Sequence, residues 1–247
     1  MRLANIWRHP IKGVGREELA SVTLSKMQCL PYDRHWAIAH ERAKLGEEKD
    51  GWARCVNFAR AARGYQLMAV SSHFDEATET ITLSHPELPD LVINPDADGN
   101  ALVEWVSKIS DPDRAMPSQV VRADRGMTDS RAPTVSIHSL ASLESLSSLV
   151  GQPLDQRRFR GNLWFDGPKA YEEFDWVGQK LRIGEVELEI VDRIERCMAT
   201  TVNPDTGQSD APTLKTLNHH YDHQDFGVFG IVTKGGQIAV DDIAEVV

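Results

Sequence analysis

Cys197 stands in the run Arg-Ile-Glu-Arg-Cys-Met-Ala-Thr-Thr-Val-Asn-Pro-Asp-Thr-Gly over residues 193–207, where an alternating, strand-like stretch ends and a turn begins. Arg193 and Arg196 lie within four residues of it. Nearby cations favour thiolate over thiol, and the thiolate is the form that attacks electrophiles or binds soft metals. The plain alternative is a small core side chain, the commonest fate of an unpaired cysteine. Asn203-Pro204-Asp205-Thr206-Gly207 reads as a turn, with Pro restricting one dihedral and Gly permitting the next.

Other residues invite chemistry and meet equally plain alternatives. His219 and His223 are four apart, so on a helix they share a face, and Asp222 and Asp225 are close. Zinc proteases use that spacing but need Glu directly after the first histidine, where this chain has His220; a solvated helix end explains the group as well. Lys12-Gly13-Val14-Gly15 places its lysine before the glycines, the reverse of a nucleotide-binding phosphate loop. Arg157, Arg158 and Arg160 cluster before an apolar run, either as phosphate-binding forks or as surface charges. Asp33-Arg34 carries the same ambiguity. Neither a dinucleotide fingerprint nor a Gly-x-Ser-x-Gly elbow is present.

The elements that must position these residues are mostly short strands. Apolar-rich runs at 3–7, 35–39, 66–70 and 78–83 predict strands, and 52–63 predicts a short helix stopped by Gly64, with Cys55 packed in the core. Residues 94–100 form a loop, followed by a helix with Leu102, Val106 and Ile109 on one face. The stretch 110–118, with Pro112 and Pro117, marks a boundary between regions 1–115 and 116–247. A second helix runs from Ser139, its N-cap, to Val150, with Gly151 as C-cap; a third covers Thr213 to Tyr221. Leu163 to Phe165 and the strictly alternating Val186 to Ile190 are strands, and 228–233 with 237–240 predict a terminal hairpin. The expected fold is α+β and mainly β: an antiparallel barrel with peripheral helices and an N-terminal β-rich part.

Composition limits the function. The 247 residues are 41% hydrophobic and 26% charged, with net charge −10, which argues against a broad nucleic-acid footprint while leaving room for a small basic pocket. No apolar run reaches the ~20 residues that span a bilayer, and the amino terminus lacks the features of a secretory signal. Cys29, Cys55 and Cys197 form no C-x-x-C pair, so a disulfide framework or cysteine-rich metal site is not expected and the cytoplasm is the natural compartment.

Taken in order, several segments resemble the MOSC family, named for the C-terminal domain of molybdenum cofactor sulfurase, and specifically its two-part members. His-Pro-Ile-Lys-Gly (9–13) is similar to the family's Tyr-Pro-Val-Lys-Ser, and Asp-Arg-His-Trp (33–36) to its Asp-Arg-x-Trp. Asp129, Pro133 and the helix opening at Ser139 follow. Arg-Phe-Arg-Gly-Asn (158–162) resembles Phe-Arg-Pro-Asn, and Arg196-Cys197 through Gly207, then Pro212 to Leu217, complete the series. Gly13 departs from the common serine and Gly161 from the proline.

The resemblance implies a MOSC-type β-barrel holding a molybdenum cofactor. It casts Cys197 as the protein's thiolate ligand to the metal, Lys12, Arg34 and Arg160 as contacts to the cofactor phosphate, and Asn162 and the segment from Thr134 to Ser139 as further cofactor contacts. It implies reduction of N-hydroxylated or N-oxide small molecules. No electron source is expected in this chain, so electrons would come from a separate ferredoxin, cytochrome or flavin reductase. The alternative is a carrier of the cofactor or of persulfide sulfur on Cys197, without turnover. A pyridoxal phosphate site finds no persuasive lysine.

Overall fold

The computed structural model describes residues 1–46 and 50–247. Its largest element is an eight-stranded sheet. In spatial order its strands are Ala244–Val246, Lys180–Ile183, Val186–Glu195, Asp225–Lys234, Val135–Ser139, Leu163–Asp166, Arg2–Arg8 and Glu17–Leu19. One neighbour pair is parallel, Val135–Ser139 against Leu163–Asp166. Its end strands share no ladder, but the segment leading into Ala244–Val246 is hydrogen-bonded to the start of Arg2–Arg8, the strand next to the opposite edge. Leu3 N donates to Asp242 O (2.9 Å), Asp241 N to Leu3 O (2.8 Å) and Ala244 N to Met1 O (2.9 Å). The concave face buries Leu3, Ile6, Ile137, Leu163, Phe165, Leu188, Ile190 and Val228 in one apolar core. In Val186–Glu195 the alternation works as the period of two requires: Val186, Leu188 and Ile190 are buried, and Glu189 is exposed.

A second core lies under two three-stranded sheets, one of Ile11–Lys12, Trp36–His40 and Pro117–Arg122, the other of Ser71–Asp75, Thr80–His85 and Leu88–Ile93. Helix α1 (Gly99–Ser107) covers it through Leu102, Trp105 and Val106, which pack with Trp36, Ile38 and Phe74. The chain therefore interleaves. Arg2–Arg8 belongs to the large sheet, and Pro117–Arg122 pairs back with Trp36–His40.

Helices α2 (Leu140–Val150) and α3 (Thr213–Tyr221) pack outside the large sheet over Phe159, Trp164 and Phe226. The caps of α2 are those expected from sequence: Ser139 Oγ accepts from Ser142 N (3.4 Å), and Gly151 adopts φ +83° while its N–H closes on Ser147 O at 2.9 Å.

Three expected elements take other forms, each because a distant partner claims the backbone. Residues 52–63 hold a single 3-10 turn, Cys55–Asn57. Phe58 is extended and bridges Ala39, and Ala59 N donates to Ile38 O (2.8 Å). The expected strand at 66–70 is the 3-10 helix Tyr65–Ala69, and the carbonyls of Met68 and Val70 accept from the Arg16 guanidinium instead of a neighbouring strand. The terminal hairpin opens because Gly236–Ala239 pairs with Ser21–Leu24.

Glu173 is wholly buried beside the start of α2, where Ser142 Oγ donates to its Oε2 at 2.8 Å. Burial, only partly offset by hydrogen bonds, pushes its carboxyl up from 4.5 to about 7. The folded pKa exceeds the unfolded one, so the folded state holds the extra proton between them and stability falls as pH rises from 4.5 to about 7. In chemical denaturation, Glu173→Gln should match the wild type near the lower pH and exceed it by up to ~3 kcal/mol above the upper one. A difference that does not grow with pH would contradict this.

Candidate functional site

A cavity of about 560 Å³ brings together most of the residues singled out in the sequence: Lys12, Arg34, Thr134, Arg160, Asn162 and Cys197 all line it. Ser139 does not; its hydroxyl is the α2 cap. The wall also includes Arg60, Arg158, Arg193 and Arg196, so seven cations (these four with Lys12, Arg34 and Arg160) face two carboxylates, Asp129 and Glu195. In a chain of net charge −10 this is a local reversal of sign.

Carbonyl oxygens hold four of these seven cations, while Arg158 Nη2 pairs with Asp210 Oδ1 at 2.7 Å. Lys12 Nζ donates to Met127 O and Asp129 Oδ1, both at 2.6 Å. Arg34 donates to buried Asp33 and, at 2.8 Å, to Arg160 O. Arg160 donates to Gly15 O (3.0 Å) and Ile11 O (3.4 Å), and Arg196 to Phe159 O. Asp33 is fixed in turn by His9, whose N and Nδ1 reach its Oδ1 at 2.8 and 3.1 Å. Arg34 and Arg160 both adopt left-handed backbone, φ +54° and +49°. Residues with a Cβ avoid that region at a cost of about 1–2 kcal/mol, so strain is stored at the two basic positions the site uses.

Burial, then repulsion from Arg34 and Arg16, pulls Arg160 down to about 9; burial also pulls Arg196 down to about 10. Several buried polar atoms on the wall have no hydrogen-bond partner among the described residues: Thr134 Oγ1, Arg158 Nε and Nη1, and Arg196 Nε. Unpaired buried donors among crowded cations are what an oxyanion satisfies. Asn162 differs. Its Oδ1 accepts from Ser136 N and Oγ (3.1 and 2.8 Å) and its Nδ2 donates to Trp7 O (3.1 Å), so its amide splices strands while shaping the wall.

Cys197 ends the strand Val186–Glu195 and is exposed at the cavity mouth, just before the 3-10 helix Met198–Thr201. The turn behind it is pinned from the other region. Gln66 Nε2 donates to Thr206 O and Gly207 O (3.2 and 3.3 Å), and Arg16 Nη2 to Pro204 O (2.8 Å). Gly207 has φ +63° and a Cβ there would strike Gln66 at 2.7 Å, so glycine is required. Cys55, expected in the core, instead lines the cavity half-buried, with Arg60 Nη1 donating to its Sγ at 3.0 Å. Burial pushes the Cys29 thiol up to about 11, so that residue is an inert core group.

The other candidates resolve differently. Arg157 pairs outside with Asp155 and Asp205. Helix α3 ends at Tyr221 and Asp222 turns left-handed (φ +57°), so His223 leaves the face of His219. Among the described residues no group of three His, Cys, Asp or Glu side chains is placed to hold a metal ion. Arg158 was read from sequence only as one of three clustered arginines, phosphate forks or surface charges, and Arg196 only as a cation beside the cysteine; nothing local shows which way either side chain turns.

Two family models match this chain. One, described as MOSC domain, matches residues 124–245, and the other, MOSC N-terminal beta barrel domain, matches residues 1–113. The chain belongs to the two-part MOSC family. Among its curated relatives are mitochondrial amidoxime-reducing component 1 of Mus musculus and of Homo sapiens, 25% and 26% identical, each alignment covering 88% of this chain and 71% of the relative. Mitochondrial amidoxime reducing component 2 of Bos taurus is 34% identical over 120 residues, 44% of this chain and 35% of that protein. No helix among the described residues is long and apolar enough to cross a membrane.

The two departures from the MOSC motifs have a packing reason. At Gly13 (φ +78°) a Cβ would lie 2.6 Å from Ala59 O and 2.9 Å from Arg60 Cα, so serine does not fit. At Gly161 a Cβ would lie 2.1 Å from His138 Cδ2. His138 is fully buried and stacked on Trp164 at 4.7 Å, and burial holds it well below the usual histidine range, hence neutral. Gly161→Ala should cost about 1–3 kcal/mol, and a double-mutant cycle with His138→Ala should recover part of that. Additive losses would remove the proposed clash.

The crowded cations predict a second result. Millimolar pyrophosphate should raise the melting temperature above that in chloride of equal ionic strength, by about 2–4 °C per kcal/mol of binding linkage. Lys12→Met should reduce the gain. A melting temperature indifferent to the anion would mean the cations already have their partners.

Proposed function

We propose that this protein is a molybdenum-cofactor-dependent oxidoreductase that reduces N-hydroxylated or N-oxide small molecules. One observation carries the reading: a cavity rich in under-compensated cations opens beside an exposed cysteine, in a chain related to amidoxime-reducing components. The cavity volume lies within the usual range for cofactor-sized ligands. The donor set suits the group, with a soft thiolate for molybdenum and guanidinium and ammonium donors for a phosphate.

In this reading Cys197 is the metal's protein ligand. Lys12, Arg34, Arg160 and Arg158 hold the phosphate, and Thr134 Oγ1 and Arg196 Nε supply further donors to the cofactor. When bound, the cofactor would supply a two-electron redox centre for removing the substrate oxygen. For an amidoxime the net change is R–C(=NOH)NH2 + 2 e⁻ + 2 H⁺ → R–C(=NH)NH2 + H2O: the N–O bond breaks, nitrogen is reduced and oxygen leaves as water. Electrons come from a separate ferredoxin, cytochrome or flavin reductase. The compartment is the cytoplasm, where the three cysteines stay reduced. Residues 1–115 and 116–247 act as one unit, each contributing cations to the cavity.

The exposure of Cys197 favours one alternative, a carrier that hands on cofactor or persulfide sulfur without turnover. Molybdenum and pterin analysis of purified protein, followed by benzamidoxime reduction with a chemical reductant, separates the two. The reductase reading expects bound metal and turnover, while a carrier releases cofactor on dilution and does not turn over. Cys197→Ala should abolish reduction and lower molybdenum content while leaving the fold intact by circular dichroism. Full activity in that variant would remove the ligand assignment.

A further inference from the structure

The cation-lined cavity occupies one side of Cys197. On the other side lies a larger groove of about 920 Å³, and Cys197, Arg60 and Ala62 line both. The cysteine therefore stands at the passage between the two. If the phosphate-binding chamber is filled, the groove is the remaining approach to the thiol, and its walls decide which molecules arrive in a productive orientation.

Those walls are lopsided in charge. Arg60, Arg63, Lys108 and Arg114 face Glu87 and Asp111. Lys108 and Arg114 each have a carboxylate at 3.7 Å, Glu104 and Asp111 respectively. Arg63 has no carboxylate partner among the described residues, and Arg60 spends one N–H on the Cys55 sulfur. The two guanidiniums rise from one tight turn, where Arg63 N and Gly64 N both donate to Arg60 O (2.9 and 3.0 Å).

Beside them Tyr65 and Met198 are 38% and 44% exposed, one flat and one polarisable apolar surface next to the thiol. Exposed aromatic and thioether surface next to unpaired guanidinium suits a planar anion. The ring lies on Tyr65 and Met198, and the oxyanion meets a fork of N–H donors. In a chain of net charge −10, cations concentrated here draw in anions that the remaining surface repels.

We propose that this groove is the substrate-recognition site and that it selects planar N-hydroxylated compounds carrying a carboxylate or a phosphate, with Arg63 as the specificity-determining cation. The proposal rests on the reductase reading above. Its test uses three amidoximes that differ only at the para position: benzamidoxime, 4-carboxybenzamidoxime and 4-phosphonobenzamidoxime. Each is assayed on the cofactor-loaded protein with reduced methyl viologen as donor, and each is titrated by calorimetry into the oxidised protein.

The expected result is a kcat/KM about tenfold higher for an anionic amidoxime than for the neutral one at low salt. That ratio should fall toward one in Arg63→Glu and on adding salt, and the calorimetric affinities should keep the same order. The larger gain, carboxylate or phosphonate, names the anion. Arg63→Gln repeats the test should the charge reversal not fold. Equal affinities for the three compounds, or a ratio that Arg63→Gln leaves unchanged, would overturn the proposal even if all three are reduced. If none is reduced while the anionic pair still binds more tightly through Arg63, the reductase reading fails and the anion preference of the groove stands.

Discussion

The arrangement depends on cations whose positions are set largely by carbonyl oxygens, with carboxylates pairing only some of them: Asp129 with Lys12, Asp33 with Arg34 and Asp210 with Arg158. Lys12 reaches Met127 O, Arg16 reaches Met68, Val70 and Pro204 O, Arg34 reaches Arg160 O, and Arg160 reaches Gly15 and Ile11 O. A carbonyl fixes a guanidinium's position without cancelling its charge, so the site is rigid and electropositive at once. Most of these contacts join residues more than a hundred positions apart, and they lock the early chain to the late chain. The cost appears as lowered proton affinity of Arg160 and Arg196 and as left-handed backbone at Arg34 and Arg160. A bound oxyanion offsets the first of these terms directly.

Packing accounts for the glycines at two positions of the family motifs. Gly161 lacks a proline ring, yet His138 fills the space a side chain at 161 would need, and Gly227 is pressed on the same imidazole, where a Cβ would lie 2.1 Å from Nδ1. Gly13 lacks a hydroxyl, yet it lets Ala59 and Arg60 approach the Lys12 loop closely enough for Arg60 to reach the passage beside Cys197. At both positions the missing side chain permits a close approach, by the His138 ring at Gly161 and by the Ala59–Arg60 backbone at Gly13.

Cys197 acquires its setting in the same way. Its turn is clamped by Arg16 and Gln66, and two spaces of different character meet at its side chain. One carries buried donors unpaired among the described residues; the more open one carries exposed aromatic and thioether surface beside Arg63, which has no carboxylate partner among the described residues. In the proposed reading, the thiol at the boundary gives the two spaces separate tasks, retention on one side and selection on the other.

Periodicity and end signals are local, and where they decided structure the sequence was legible. The alternation of Val186 to Ile190, the Ser139 and Gly151 caps of α2 and the span of α3 follow from neighbours within a few residues, as does the ordered series of motifs that marks the family. Segments whose backbone partners lie far away were not legible. Residues 52–63 gave up a helix to bridge the strand Trp36–His40, 66–70 gave up a strand to feed carbonyls to Arg16, and Gly236–Ala239 left its hairpin for Ser21–Leu24. The same division holds in the site. The ordered motifs that resemble the family singled out Lys12, Arg34, Arg160 and Cys197, and all four line one cavity. Tertiary structure alone decided that Arg158 and Arg196 turn inward, that the Asn162 amide is spent on the scaffold, and that Cys55 leaves the core. A side chain's direction and its remaining hydrogen-bonding capacity are set by atoms brought together across the whole chain, and no local pattern records them.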